Sequence, residues 1–204
     1  MTMYTPSHFA GNDSADALAL MRAYPFVTLI TTAPEGPHIT HLPVLVDEGV
    51  LHAHMARANP HWRMFAQGQT IAVFNGPHAY ISPAWYVNPD REVPTWNYAA
   101  VHAHGVPQLI EGRDDKLALI DRSVAMFEAA NVPPWTRKVE GERLEMMLGA
   151  IVGFRIPVTR IEAKFKMNQN RTAPDRAKVI EHLRASAHPD LIAMAQWISG
   201  HERG

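Results

Sequence analysis

Three runs of β-forming residues, 26–32, 38–46 and 50–54, follow one another across two tight turns, and this spacing constrains the fold more than any other stretch. Phe26-Val-Thr-Leu-Ile-Thr-Thr32 is rich in β-branched and aromatic residues, which suit a pleated, half-buried surface. Pro34-Glu-Gly-Pro37 and Asp47-Glu-Gly49 carry turn chemistry, so an antiparallel meander is expected. Further strands are expected at 70–74, 79–82, 96–110, 150–156 and 158–166. Helices are expected at 15–23, capped by Asp13 or Ser14, and at 60–67, opened by Asn59-Pro60. Four more follow at 114–131, 142–147, 174–185 and 189–199. In the helix at 114–131, Leu117, Ile120, Val124 and Phe127 share one face, the pattern of a core-facing stripe. Strands dominate the middle and helices the flanks. The expected fold is mainly β with flanking helices: a six- or seven-stranded antiparallel barrel. It is expected to form one domain over 1–204, with 172–204 as a helical extension.

Composition narrows the function. With 47% hydrophobic and 19% charged residues, the 204-residue chain has the make-up of a folded protein with a sizeable core. A net charge of −1 gives no whole-molecule field to steer it onto nucleic acid or an anionic membrane. Cysteine is absent, which excludes disulfides, thiolate metal sites and a cysteine nucleophile. The first residues carry no basic and apolar signal pattern, and no apolar run approaches the ~18–20 residues of a membrane span. A cytoplasmic protein is expected.

Residues 76–105 concentrate the chemistry. Two of the five tryptophans, three of the five tyrosines and three of the twelve histidines fall there. Aromatic rings with polar handles suit a site for a flat, partly polar ligand, and equally a subunit interface. Trp96 and Tyr98 point to one face of a strand and Asn97 to the other, where its amide could read the edge of a heterocycle. In Leu51-His-Ala-His-Met-Ala-Arg-Ala-Asn-Pro60, Arg57 precedes a capped helix start, offering either an anion site or an ordinary solvated arginine. His52 and His54 share a strand face, as do His102 and His104, yet no carboxylate sits beside either pair to complete a metal site. Lys164-Phe-Lys-Met-Asn-Gln-Asn-Arg171 is a dense polar run, read as a solvated strand end or as a second ligand contact. No nucleophile elbow, paired carboxylates, P-loop or dinucleotide fingerprint is present.

Five segments appear in order: Met3-Tyr-Thr-Pro-Ser-His-Phe9, His54-Met-Ala-Arg-Ala-Asn-Pro-His-Trp62, Gly76-Pro-His-Ala-Tyr-Ile-Ser-Pro-Ala-Trp-Tyr86, Val93-Pro-Thr-Trp-Asn-Tyr98 with Val101-His102, and the run from Lys164 to Arg171. Together they resemble the PaiB family of FMN-binding negative transcriptional regulators, which is similar to the split β-barrel flavoproteins typified by pyridoxamine 5′-phosphate oxidase. The resemblance implies a split barrel, a homodimer and FMN at the subunit interface. It also implies that His52, Ala53, His54 and Arg57 hold the ribityl and phosphate, and that the Leu42 and Pro43 backbone lies near the ring. Tyr80, Ser82, Trp96 and Asn97 are implied as the partner subunit's contribution, with Lys166 and Gln169 as further candidates. A serine is expected where this chain has Asn168. The leading expectation is a dimeric FMN-binding repressor, acting on DNA directly or through a transcription partner. An FMN-dependent oxidoreductase on a small heterocycle or nicotinamide donor is the alternative. A haem-handling split barrel, with a histidine as axial ligand, is a third.

Overall fold

Pro43 interrupts the second expected strand, and the strand order follows from that break. The computed structural model describes residues 3–10 and 14–201; the Asp13 cap and the Ser14 side chain lie outside what is described. The chain runs α1 (Ser14–Ala23), β1 (Phe26–Ala33), β2 (Gly36–Pro43), β3 (Leu45–Asp47) and β4 (Val50–Ala56), then a 3-10 helix, Pro60–Gln67. It continues through β5 (Thr70–Ile81), β6 (Thr95–Gly105), β7 (Gln108–Ile110), α2 (Arg113–Glu128) and α3 (Gly141–Gly149). β8 (Ile151–Lys166), α4 (Ala173–Arg184) and α5 (Pro189–Gly200) complete it. Pro43 has no N–H to give a ladder, and the next amide, Val44, donates instead to the Pro25 carbonyl at 2.9 Å. The expected meander therefore breaks. β2 pairs with β1 from Phe26↔Pro43 to Ala33↔Gly36, and β3 pairs with β4. The strand order is β2-β1-β5-β6-β8-β4-β3, with β7 on β8, so two strands adjacent in sequence end the path.

Eight strands form among the described residues, against the six or seven expected of the barrel, and several boundaries differ from those expected. The segments 70–74 and 79–82 join as one 12-residue strand; its buried alternation slips by one at Gly76-Pro77, where both are buried. Likewise 150–156 and 158–166 form one strand through Pro157. The expected strand 96–110 divides instead, since Pro107 cannot donate to a ladder. No described helix is long and apolar enough to cross a membrane.

The chain packs as two units, Met1–Ala23 with Asn75–Val101 and Glu162–Gly204, and Tyr24–Phe74 with His102–Ile161. In the first, Leu20 and Met21 of α1, Val179 and Leu183 of α4 and Met194 of α5 are buried. The Trp197 and His201 rings stack on Phe165 at 5.9 and 5.2 Å. In the second, Leu29, Leu51, Phe74, Phe154 and Ile156 are buried, each contributing about 1.5–3 kcal/mol of apolar burial. Phe65 of the 3-10 helix packs on Phe154 at 4.9 Å. α2 lies against β8 at Gly153, where an added Cβ would come within 3.3 Å of Leu119.

Candidate functional site

β4 alternates as the sequence predicts: Leu51, Ala53 and Met55 are buried, and Val50, His52 and His54 are half-buried on the other face. Burial alone holds the His54 pKa below its usual value, so the ring is neutral at pH 7. Among the described residues none hydrogen-bonds that ring. His52 is lowered by burial and then by the Arg122 charge; it lines a cleft of about 410 Å³ with Arg122 and Arg155. The two histidines share a face but open onto different spaces. Arg57, past the end of β4, is exposed and donates from Nε to the Gly149 carbonyl at 2.7 Å and from Nη2 to that of Ile151 at 3.1 Å. The helix start beside it is largely used up. The Asn59 side chain accepts the His61 N–H at 3.0 Å, and Pro60 offers none.

His61 sits in the opposite chemical situation, buried and fully partnered. Its Nδ1 lies 2.8 Å from Thr40 Oγ1 and its Nε2 2.9 Å from Thr31 Oγ1, which is 2.6 Å from Thr70 Oγ1. Asn59 Nδ2 donates to Thr40 at 3.0 Å. One assignment satisfies every atom: the Thr40 hydroxyl donates to Nδ1, and Nε2–H donates to Thr31. Burial first, and the nearby His38 second, bring the His61 pKa down to about 4.

On the His54 side lies a cavity of about 460 Å³, lined almost wholly by apolar groups. Its floor is Pro43, Leu45, His54 and Ile151; α2 supplies Ile120, Val124 and Phe127, and α3 supplies Leu144 and Leu148. Of the stripe expected to enter the core, Ile120, Val124 and Phe127 face this space instead, and the buried residue of α2 is Leu119. Residues 129–140 cross beside it as a strap carrying Trp135 and Arg137. Glu128 accepts the Trp135 backbone N–H at 2.9 Å, and Arg137 binds Asp121 from Nε at 2.7 Å and from Nη2 at 3.2 Å.

In the first unit Trp96 is 53% exposed, with His78 and Tyr80 rings 5.9 and 6.2 Å away, forming a solvent-facing aromatic patch. Asn97 points inward, fully buried, and among the described residues neither side-chain polar atom has a hydrogen-bond partner. Ser82 is occupied in capping, accepting from the Ala84 N–H at 3.2 Å. Lys166 bonds Thr95. Gln169 folds onto its own turn, accepting from Met167 N–H at 2.7 Å and donating to the Phe165 carbonyl. Asn168 adopts φ 62°, a left-handed conformation that asparagine tolerates better than serine. Beside it, the Arg171 guanidinium lies 4.7 Å from the buried Tyr86 ring and pairs with Glu92.

The structure thus gathers Leu42, Pro43, His52, Ala53, His54 and Arg57 in one unit, and Tyr80, Ser82, Trp96, Asn97, Lys166 and Gln169 in the other. Leu42 and Ala53 are buried, while Pro43 and His54 open onto the cavity. Sequence reasoning passed over His61, Trp135 and Arg137. The Pro133-Pro134 pair before Trp135 was a usable signal, because it forces an extended strap rather than a helix. Among the described residues no group of three His, Cys, Asp or Glu could hold a metal ion.

An eight-stranded antiparallel sheet with flanking helices is the fold of the split-barrel flavoproteins. A family model described as "Putative FMN-binding domain" matches residues 3–160, and the chain belongs to that family. It is 35% identical over 201 residues to the Bacillus subtilis "Protease synthase and sporulation protein PAI 2", covering 95% of each chain. An uncharacterised protein of Emericella nidulans is 26% identical over 198 residues, covering 74% of this chain and 79% of its own. The FAD and heme binding protein of Mycobacterium smegmatis superposes with TM-score 0.63 at 12% identity, over 82% of this chain and 78% of that one. The flavocytochrome Anf3 of Azotobacter vinelandii gives 0.62 at 15%, over 81% and 71%. At such identities the two structures share the fold alone.

The residues fit FMN in kind. An exposed guanidinium suits a phosphate, and a neutral imidazole with no described hydrogen-bond partner suits a ribityl hydroxyl. The buried Asn97 amide, unpartnered among the described residues, has the donor and acceptor that a flavin's polar edge would need.

Proposed function

We propose that the protein is an FMN-binding negative transcriptional regulator of the PaiB kind, built as a homodimer with the flavin at the subunit interface. The observation that carries this reading is the reach of the likeness to PAI 2. Covering 95% of the chain, it must run past residue 160, where the flavin family match ends, into α4 and α5. When bound, FMN supplies reversible uptake of one or two electrons. The chain's own residues hold and orient it: Arg57 takes the phosphate, His52, Ala53 and His54 the ribityl side, and the Leu42 and Pro43 backbone the ring. Tyr80, Ser82, Trp96 and Asn97 of the partner subunit would close the site, and the exposed Trp96 patch suits such a contact. Lys166 and Gln169 serve first to brace the end of β8.

The absorbance spectrum of the purified protein, followed by denaturation and identification of the released chromophore, tests the flavin half. Flavin bands and extracted FMN are expected; a Soret band without flavin would overturn it in favour of haem. Retardation of promoter DNA that weakens steeply with salt would indicate direct repression, and its absence a protein partner. Sustained NADH or NADPH oxidation with added FMN would replace the regulator by an oxidoreductase.

A further inference from the structure

The cavity beneath α2 calls for a ligand of its own. α2 turns three apolar residues of one face, Ile120, Val124 and Phe127, to a space of about 460 Å³ rather than to the core. That volume sits low in the range of small-molecule pockets and suits a one- or two-ring compound. The ionic groups at its rim are already engaged, Arg137 with Asp121 and Glu128 with Asn131 and the Trp135 amide. A charged ligand would therefore enter without a counter-charge, at a desolvation cost. His54, at the floor, offers one ring nitrogen as donor and one as acceptor with no described residue competing for either. A second space of about 440 Å³ adjoins Trp135 and α2, so the Trp135 ring borders both.

We propose that this cavity binds a small, uncharged ring compound carrying one polar group, which His54 hydrogen-bonds while Trp135 closes over it. The inference goes beyond flavin binding, because every wall belongs to one unit of one chain. The ligand acts as a co-substrate or an effector beside the flavin, sharing His54 and Pro43 with it.

The test is titration of the full chain, FMN-loaded and FMN-free, with 2-methyl-1,4-naphthoquinone, followed by calorimetry and tryptophan fluorescence. The quinone is neutral, has two rings and offers carbonyl acceptors, and the chain has no thiol to trap it. Saturable binding of one quinone per chain is expected, with most of the quenching lost in Trp135→Phe. Ile120→Trp and Val124→Phe, which fill the space, should each weaken binding at least tenfold while preserving flavin affinity. The carboxylate analogue 1-naphthoate should bind at least tenfold more weakly than the quinone. Arg57→Ala should leave quinone affinity within twofold, so a failure of the flavin reading shows separately, as unchanged flavin affinity in that variant. No saturable binding, or affinity unchanged in both filled variants, overturns the proposal. So does conversion of a dimer to monomers by the filling variants when wild type binds no quinone, because the cavity then seats a second copy.

Discussion

His54 and His61 stand seven residues apart, both neutral, and the structure treats them in opposite ways. His61 has a threonine hydroxyl at each nitrogen and an asparagine amide behind one of them. His54 has an apolar cavity in front of it and no described partner. An imidazole whose hydrogen bonds are all met inside the fold holds the fold. One whose hydrogen bonds are left open at a cavity is set for a ligand. The same division separates Gln169, closed on its own turn, from Asn97, buried with its amide unmet.

The contrast breaks most readily at His61. His61→Ala takes one hydrogen-bond partner each from Thr31 and Thr40 and empties a buried ring site, and should cost about 3 kcal/mol in urea unfolding. His54→Ala should cost less than about 1 kcal/mol while impairing ligand binding; equal losses would erase the distinction. Acid offers a second route of similar size. The His61 pKa is about 4 in the fold, below its unfolded value near 6.5. Between these values the unfolded chain binds a proton that the folded chain refuses. Its stabilisation is therefore complete above about pH 6.5 and is lost as pH falls through the folded value, by up to about 3 kcal/mol. Unfolding measured from pH 7 to 4 should show this slope, and His61→Gln should flatten it; an unchanged slope would sink the assignment. The smallest effect is at the strap. Arg137→Ala should release residues 129–140 and shift Trp135 emission to the red, with little change in melting temperature.

Much of this was legible in the sequence, for reasons that also mark where legibility ended. Tight turns and β-branched runs gave β1 and β4, and Pro60, Pro174 and Pro189 marked helix starts, because these signals are local. The fusion of 70–74 with 79–82 was not legible. A glycine and a proline that usually end a strand are absorbed by a one-residue slip in alternation, and only neighbouring strands can enforce that. Nor does periodicity say what an apolar helix face meets. Leu117, Ile120, Val124 and Phe127 read as core, yet Leu119 is the buried residue and Ile120, Val124 and Phe127 line the cavity. On the site, period-two spacing placed His52 and His54 on one face correctly but could not tell that they open onto different spaces. His61 was invisible because its partners, Thr31, Thr40 and Thr70, are distant in sequence.

The most direct test of the account is a titration of FMN into the flavin-stripped chain, followed by flavin fluorescence, for wild type and Arg57→Ala. Saturation at one FMN per chain is predicted for wild type, with affinity weakened several-fold or more in Arg57→Ala and the fold intact by circular dichroism. Identical flavin affinity in the two proteins, or no saturable binding by wild type, would contradict it.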